Sequence, residues 1–309
     1  MSELKAAILP DRGVLRVGGA DAREFLQGLV TNNVDLVKPG EAIYAGLLTP
    51  QGKFLFDFFI TSEDGGFILD CDGGRVGELQ KRLTFYKLRA NITLEDLSAE
   101  RSVIAFWGGA QAAFPDPAST DPRLAALMYS DPRLAALVYS DPRLAALGHR
   151  AISSAPEAAI AAAGARSATP ADYHRHRIAL GVGDAAQDFE PDRSFPLEVN
   201  FDELHGVDFH KGCFVGQEVT SRTKRRGSVR KRLIPCRVQG DLPKPRTPVR
   251  ASGREAGTVF SGDAETGRVL ALLRLDLIEG AVLEAGEATL TPERPDWAAF
   301  SLAEESDEI

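Results

Sequence analysis

From Arg232 onward the chain is a series of short apolar runs separated by glycine and proline. The runs lie at residues 233–238, 257–260, 269–275 and 288–290. Short, closely spaced strands of this kind are typical of a small β-barrel or sandwich. The sequence therefore predicts such a domain over residues 232–300, an acidic tail at 301–309 and a separate preceding region at 1–231.

The preceding region shows the patterns of a mixed α+β fold. A capping pattern at residues 21–24 predicts a helix start. Apolar runs at 54–60 and 67–71, on either side of a polar break that ends in two glycines, predict a β-hairpin. An apolar stripe with helical spacing over 76–86 and a returning strand at 92–94 follow. This order predicts an antiparallel sheet covered by helices, and we expect the whole region to contain two subdomains.

A tandem repeat interrupts this region. The seven residues Asp-Pro-Arg-Leu-Ala-Ala-Leu begin at Asp121 and recur at Asp131 and Asp141. Ten residues are too few for a solenoid unit, which takes about 20 to 50 residues, and the repeated proline interrupts a continuous helix. We therefore expect a duplication within a surface connection at about residues 115–150, because loops accept insertions at little entropic cost.

Composition and charge exclude several classes of protein. Hydrophobic residues make up 44% of the 309 residues, and no stretch approaches the length of a membrane span. The N-terminus has neither the basic nor the apolar segment of a secretory signal, so the sequence predicts a cytoplasmic protein without membrane contact. The net charge of −8 argues against a protein whose whole surface binds nucleic acid.

The chain has three cysteines, Cys71, Cys213 and Cys236, and their number limits the sulfur chemistry that it can perform. An odd number without Cys-x-x-Cys spacing argues against a disulfide framework. Three thiolates cannot hold a four-thiolate iron–sulfur cluster, although one of them can lend a single ligand to a shared cluster. No resident metal site is predicted, since the histidines near Cys213 do not complete a tetrahedral set.

Residues 211–218, Lys-Gly-Cys-Phe-Val-Gly-Gln-Glu, are the densest set of reactive groups in the chain. A thiol reacts as its thiolate, and Lys211 can stabilise that anion beside Cys213. A helix N-terminus at Cys213 would add to this effect, and Gln217 and Glu218 can hydrogen-bond the edge of a heterocyclic ring. The alternative is a buried, inert Cys213 beside a solvated Lys211, because free cysteine is among the most buried residue types.

The same segment resembles the signature of the YgfZ family of folate-binding proteins, which is similar in fold to the aminomethyltransferase T-protein of the glycine cleavage system. Residues 25–32, 49–53, 177–183 and 195–200 also resemble the family pattern, so that the resemblance covers nearly the whole chain. It implies a multi-subdomain α+β aminomethyltransferase-like fold with a C-terminal β-barrel. It also implies a role in the assembly or repair of iron–sulfur clusters, with iron–sulfur proteins or assembly factors as partners and an indirect link to tRNA-modifying enzymes.

The resemblance further implies a tetrahydrofolate site, for the parent compound or a one-carbon derivative, in a central cavity. Cys213 and Lys211 would be the reactive pair. The folate-binding residues would be Asp57, Glu198, Asn200, Gln217, Glu218 and Arg222. The T-protein has an acidic pair where this chain has Phe56-Asp57, and the aromatic replacement weakens the case for aminomethyl transfer. Asp57 would face the cavity or, alternatively, solvent.

The sequence is also compatible with two other functions. The first is a one-carbon transferase that uses the folate site, and the sequence leaves open whether any turnover occurs. The second is an RNA-binding adaptor, because seven basic residues fall within 222–232. The same cations can instead attract the glutamate tail of folate or form a solvated β-ribbon at a domain junction.

Overall fold

The computed structural model describes residues 3–109, 136–227 and 229–302. In chain order the strands are β1 (Leu4–Leu9), β2 (Arg12–Gly18), β3 (Ala42–Leu48), β4 (Phe54–Glu63), β5 (Gly66–Asp72), β6 (Thr93–Asp96), β7 (Ser102–Gly108), β8 (Leu137–Ser140), β9 (His149–Ser153), β10 (Arg166–Ser167), β11 (Lys231–Gln239), β12 (Pro248–Ala251), β13 (Arg254–Asp263), β14 (Arg268–Arg274), β15 (Leu283–Ala285) and β16 (Ala288–Pro292). The α-helices are α1 (Ala22–Gln27), α2 (Val76–Lys87), α3 (Pro156–Ala162), α4 (Pro170–Ala179), α5 (Ala185–Asp188), α6 (Gln217–Arg225) and α7 (Leu275–Ile278).

The chain divides into two compact units, each assembled from separate stretches of sequence. The first unit consists of Met1–Pro50, Leu55–Tyr173 and Leu204–Gln217. The second consists of Gln51–Phe54, His174–Glu203 and Glu218–Ile309. Among the described residues, no helix is both long and apolar enough to cross a membrane.

One sheet of the first unit has the strand order β3-β4-β5-β2-β6. The registered pairs β4–β5, β5–β2 and β2–β6 are antiparallel, as predicted, and β4 and β5 form the expected hairpin. Phe58, Ile60 and Leu69 from the hairpin are buried in one core with Leu79 and Leu83 of α2. The apolar stripe of α2 therefore forms because its side chains cover one face of this sheet.

Helix α1 begins where the sequence predicts, but Asp21 does not cap it through its side chain. Instead the Asp21 carboxylate accepts a hydrogen bond from the backbone N–H of Asn91 at 2.6 Å. The residue therefore ties the start of α1 to the segment before β6. A capping pattern in the sequence cannot distinguish these two uses, since both need an acceptor at the same position.

The second sheet of the first unit has the order β10-β1-β7-β9-β8. Strand β1 pairs in parallel with β10, whereas the other registered pairs are antiparallel. Ile104, Phe106 and Ala151 are buried with Ile160 of α3 in a second core. The last copy of the tandem repeat lies in the connection between β8 and β9 of this sheet.

That last copy differs from the surface connection predicted for it. It follows directly after β8, and Asp141 and Arg143 are both buried. Their side chains form an ion pair at 2.8 Å, and the Arg143 guanidinium lies 4.8 Å from the centre of the Phe59 ring. A buried ion pair of this kind needs fixed partners, so the copy is part of the fold. The copies that open at Asp121 and Asp131 lie outside the described residues.

The second unit contains the predicted C-terminal β-barrel. Its strands close in the order β11-β14-β13-β12-β15-β16. The four predicted apolar runs lie on β11, β13, β14 and β16. Strands β12 and β15 were not predicted, because each contributes only two buried side chains. Residues 303–309, which hold the acidic residues of the predicted tail, lie outside the described residues.

Candidate functional site

The segment with the reactive residues is an extended loop of the first unit, residues 204–216, which we call the signature loop. It contains no helix or strand. The hydroxyl of Thr31 donates to the Gly206 carbonyl at 2.6 Å, and the Asn32 amide donates to the His205 carbonyl at 2.7 Å. The same amide nitrogen donates to the Tyr44 carbonyl. The Thr-Asn pair in the N-terminal pattern therefore anchors the signature loop, which lies more than 170 residues later in the sequence.

Lys211 provides a second anchor for the signature loop. Its ammonium donates to the carbonyl oxygens of Gln27, at 2.5 Å, and Val30, at 2.6 Å, just after α1. The ammonium also lies 5.3 Å from the centre of the Phe214 ring. Burial lowers the pKa of Lys211 to about 8. The alternative of a solvated surface charge is wrong, since two of the three ammonium hydrogens are used by backbone carbonyls.

Cys213 is exposed on the signature loop. Gly212 before it has a φ of +95°, and a side chain at that position would meet no atom within 4 Å. Phe214 after it is buried. The alternative of a buried Cys213 is therefore wrong. The predicted helix N-terminus does not coincide with the thiol either, because α6 begins at Gln217.

The other two cysteines differ from Cys213 in their burial. Cys71 on β5 and Cys236 on β11 are buried. Burial raises the pKa of both thiols above the ordinary range. A buried thiol with a raised pKa carries little thiolate and does not meet reagents. Cys213 is thus the thiol of this chain that solvent reaches.

Asp57 lies in the interior of the first unit and not at its surface, so the solvent-facing alternative is wrong. One of its carboxylate oxygens accepts a hydrogen bond from the Tyr44 hydroxyl at 2.9 Å. Its strand neighbours Phe56 and Phe58 belong to the apolar core on the opposite face of the sheet. Strand alternation therefore places Asp57 on the same face as Phe59, whose ring lies 5.3 Å from that of Tyr44.

Beside Phe59 lies a buried ionic cluster that sequence reasoning did not find, formed by Arg12, Asp70, Tyr139 and Arg150. Asp70 accepts hydrogen bonds from Arg12 at 2.7 Å, Arg150 at 2.8 Å and Tyr139 at 2.9 Å. Burial alone would raise the pKa of Asp70, but the two guanidinium groups hold it below its ordinary value. The cluster joins β2 and β5 of one sheet to β8 and β9 of the other. The single signal in the sequence is a carboxylate inside the apolar strand β5.

The second unit contains Glu198 and Asn200. Glu198 is half-buried, and burial raises the pKa of its carboxyl group, although Lys231 opposes the shift. Asn200 is buried, and its amide donates to the Leu233 carbonyl at 2.7 Å. Arg232, at the start of the barrel, donates to the Leu197 carbonyl at 2.6 Å. This segment is therefore held by the first barrel strand.

The basic run begins on α6, continues through the connection after it and ends on β11, so its first cations are helical and do not belong to a β-ribbon. Arg232 is buried and paired with Asp202 at 2.6 Å, and Lys224 is paired with the same carboxylate at 3.0 Å. Arg222 is exposed and lies 3.5 Å from Glu218, one helical turn earlier. The other cations of the run, Arg225, Arg226, Arg230 and Lys231, are exposed.

The eight predicted site residues divide between the two units. Asp57, Lys211, Cys213 and Gln217 belong to the first unit, and Glu198, Asn200, Glu218 and Arg222 belong to the second. Within the described ranges, no group of three or more histidine, cysteine, aspartate or glutamate side chains is arranged to hold a metal ion.

The fold defines the class of protein. The chain is similar to the glycine cleavage system aminomethyltransferase T of Bartonella henselae, with a TM-score of 0.73 and 17% identity over 96% of this chain and 87% of that chain. Residues 230–300 match the family model described as CAF17, C-terminal beta-barrel domain. The predicted aminomethyltransferase-like α+β fold with a C-terminal barrel is thereby confirmed.

Sequence relatives narrow the class. The chain is 35% identical to the human iron–sulfur cluster assembly factor IBA57, mitochondrial, over 94% of this chain and 84% of that protein. It is 38% identical to the homologue from Mycosarcoma maydis over 76% of this chain, and it spans 57% of that relative's length. The chain belongs to the IBA57 family of iron–sulfur cluster assembly factors. The resemblance to the YgfZ family is confirmed only at the level of the wider YgfZ/CAF17 family, and the predicted cytoplasmic location stays a prediction.

Proposed function

We propose that this protein acts in the assembly or repair of iron–sulfur clusters, with Cys213 as its functional thiol. The observation that carries the proposal is the contrast among the three cysteines, since Cys213 is exposed and the other two are buried. The family relationship supports the same reading, because the relatives above are named as assembly factors.

A single exposed thiol limits what the protein does with a cluster. A cluster needs about four ligands, so one thiolate holds it only together with ligands from a partner protein. We therefore propose that the Cys213 thiolate replaces one ligand of a cluster that a partner still holds, and that the displaced ligand leaves with a proton. The partner would be an iron–sulfur protein or another assembly factor, and any link to tRNA-modifying enzymes would be indirect.

Replacement of the thiol tests this proposal. Cys213→Ser keeps the size of the side chain and removes the soft ligand, so we expect it to lose the support of cluster-dependent enzymes in cells that depend on this protein. Cys236→Ala is the matched control, because it removes a buried thiol from the barrel. If Cys213→Ser supports these enzymes as well as the parent chain, the thiol has no part in the function.

We further propose that the protein binds tetrahydrofolate or a one-carbon derivative. The fold supports this proposal, and so does Glu198, whose half-buried carboxyl group has a raised pKa suited to a hydrogen bond with a pterin ring. Gln217, Glu218 and Arg222 offer further polar groups for the ligand. Asn200 and Asp57 already hold internal hydrogen bonds, so we propose that each positions the backbone of its own unit.

Calorimetric titration of the purified chain with tetrahydrofolate tests the folate proposal. We expect saturable binding that is weakened in Glu198→Gln and unchanged in Glu255→Gln, which alters an exposed carboxylate of the barrel. No saturable binding at millimolar ligand would overturn the proposal. One-carbon transfer is the alternative use of the same site, and it predicts turnover with an amine donor that is lost in Asp57→Asn.

A second candidate function is polyanion binding by the basic run, because six of its seven cations are exposed. Binding of an RNA oligomer through these side chains would weaken steeply with salt. Competition with a polyglutamylated folate separates the two ligands. If RNA binds and folate does not displace it, the cations serve as an RNA contact and not as a site for the folate tail.

A further inference from the structure

The outer side of the C-terminal half of α2 carries two large apolar side chains in solvent. The side chain of Phe85 is 73% exposed, and that of Leu88, just after the helix, is 89% exposed. Three exposed cations, Lys81, Arg82 and Arg89, lie within four residues of Phe85 in the sequence. We call these five residues the basic apolar patch.

The spacing of the patch makes it a single surface. Lys81 and Arg82 lie three or four residues before Phe85, so these three side chains are neighbours on the surface of α2. Leu88 and Arg89 follow in the turn that ends the helix. The Phe85 ring rests edge-to-face on Tyr86, with 5.6 Å between ring centres, and Tyr86 packs against the core of the first unit. Phe85 is therefore held in place on its inner side and open on its outer side.

Leu88 lies at a backbone position that normally belongs to glycine. The N–H of Ala90 donates to the Lys87 carbonyl at 2.8 Å, which closes a turn with Leu88 as its second residue. Leu88 has φ +43° and ψ −104°, close to the second residue of a type II′ turn. A leucine there is strained, and its exposed side chain gains no burial within the chain to offset that strain.

Within the part of the chain that the structure describes, no ion pair neutralises the charges of the patch. Glu78 is the carboxylate of α2, and it is paired with Arg75 at 2.7 Å. Among the described residues, none of the ion pairs involves Lys81, Arg82 or Arg89. The patch is therefore positive on a protein whose net charge is −8.

We propose that the basic apolar patch is a docking surface for a partner protein whose amphipathic helix carries an apolar stripe flanked by carboxylates. Phe85 and Leu88 would pack on the apolar stripe, and the three cations would face the carboxylates. This proposal is independent of the thiol and of folate. It accounts for the strain at Leu88, because local strain is retained where it serves a function outside the folded chain itself.

Charge and size decide between the candidate occupants. A second copy would bring three cations against three cations, and like charges across an interface are unfavourable. A membrane-surface helix needs a long apolar face, whereas the apolar side of α2 is buried in the core, with Leu79 and Leu83 fully inaccessible. The remaining occupant that fits is an acidic, apolar-centred protein surface.

The test uses the full chain and a synthetic helical peptide with leucines on one face and glutamates on either side of them. A control peptide carries lysines in place of the glutamates. Fluorescence anisotropy of the labelled peptides should give saturable binding for the glutamate peptide, about ten-fold tighter than for the lysine peptide. Raising the salt concentration should weaken binding, because exposed charges are screened.

Variants of the chain sharpen the test. Phe85→Ser and Leu88→Gly should each weaken binding about ten-fold, and Leu88→Gly should at the same time raise Tm, because glycine relieves the positive φ. Val282→Ser is the matched control, since Val282 is an exposed apolar residue of the second unit. A variant that gains stability while it loses binding separates the two roles of Leu88.

Several results would overturn the proposal. Equal affinity for both peptides would show that carboxylates on the partner are not recognised. Unchanged binding by Leu88→Gly and Phe85→Ser would show that the patch is not the binding surface. Binding to vesicles of phosphatidylserine and phosphatidylcholine without binding to the glutamate peptide would make the surface a lipid contact. A dimer in sedimentation that dissociates in Phe85→Ser would make it a contact between copies of this chain.

Discussion

At two places in the first unit a charged side chain lies within two residues of a cysteine. On β5, Asp70 is buried among two guanidinium groups and a phenol, and Cys71 beside it is buried as well. On the signature loop, Lys211 is bound by two carbonyl oxygens and Cys213 is exposed. Both charges hold the fold together, so a nearby charge does not by itself mark a reactive thiol. Exposure distinguishes the two cysteines.

Thiol labelling tests the difference in exposure between Cys71 and Cys213 directly. In the native protein, iodoacetamide should modify Cys213 on the order of 1,000-fold faster than Cys71, because a buried thiol reacts only through opening of the structure. Peptide mass spectrometry of the labelled chain measures the rates. Comparable rates at the two thiols would mean that β5 opens readily and that burial does not separate them.

Removal of the Asp70 carboxylate from the buried ionic cluster should strongly lower the free energy of unfolding. Asp70→Ala leaves two guanidinium groups without their carboxylate, and we expect it to lower the free energy of unfolding by about 3–5 kcal/mol. Urea unfolding followed by circular dichroism measures this change. Asp64→Asn, at an exposed hairpin turn, is the control and should have little effect. A loss for Asp70→Ala as small as that of the control would mean that the cluster contributes no stability.

Removal of the Lys211 charge from the signature loop should lower the free energy of unfolding less than Asp70→Ala does. Lys211→Met deprives two carbonyl oxygens of their donor, and we expect a loss of about 1 kcal/mol, because water can replace part of the hydrogen bonding at a half-buried site. Lys244→Met, at an exposed position, is the control. A loss equal to that of Asp70→Ala would show that the two charges stabilise their surroundings to the same degree.

The dependence of stability on pH tests the direction in which the pKa of Lys211 is shifted, and we expect only a small change in Tm. Burial lowers the pKa of Lys211 to about 8, so between about pH 8 and its ordinary pKa of about 10.4 the unfolded chain binds more protons than the folded chain. The Tm advantage of the parent chain over Lys211→Met should therefore grow as the pH rises from 8 to 10. A shrinking advantage would mean that the two carbonyl hydrogen bonds raise the pKa instead.

Local patterns in the sequence predicted much of the fold. The hairpin of β4 and β5, the stripe of α2 and four strands of the barrel follow from the alternation and spacing of apolar residues, which near neighbours in the chain determine. The last tandem repeat was misjudged because its burial depends on Phe59, which comes from another sheet. No sequence pattern within ten residues of Asp141 predicts the contact with Phe59.

The candidate site was less predictable than the fold. The signature loop was found from its own residues, and the exposure of Cys213 agrees with a functional reading. The partners of Lys211 are backbone carbonyls more than 180 residues away, so no local pattern indicates them. Asp70 was missed because its three partners lie 58 to 80 residues distant in the chain. Local spacing in the sequence does not predict contacts between residues that are far apart in the chain.

The closed barrel of the second unit has a consequence for how other molecules can attach to it. Each of its six strands is hydrogen-bonded on both sides, so no row of unpaired backbone groups is available for an incoming strand. Recruitment by strand addition, a common route to both specific complexes and fibrils, is thereby closed to this domain. Any partner that meets the barrel must be recognised by side chains and connecting loops.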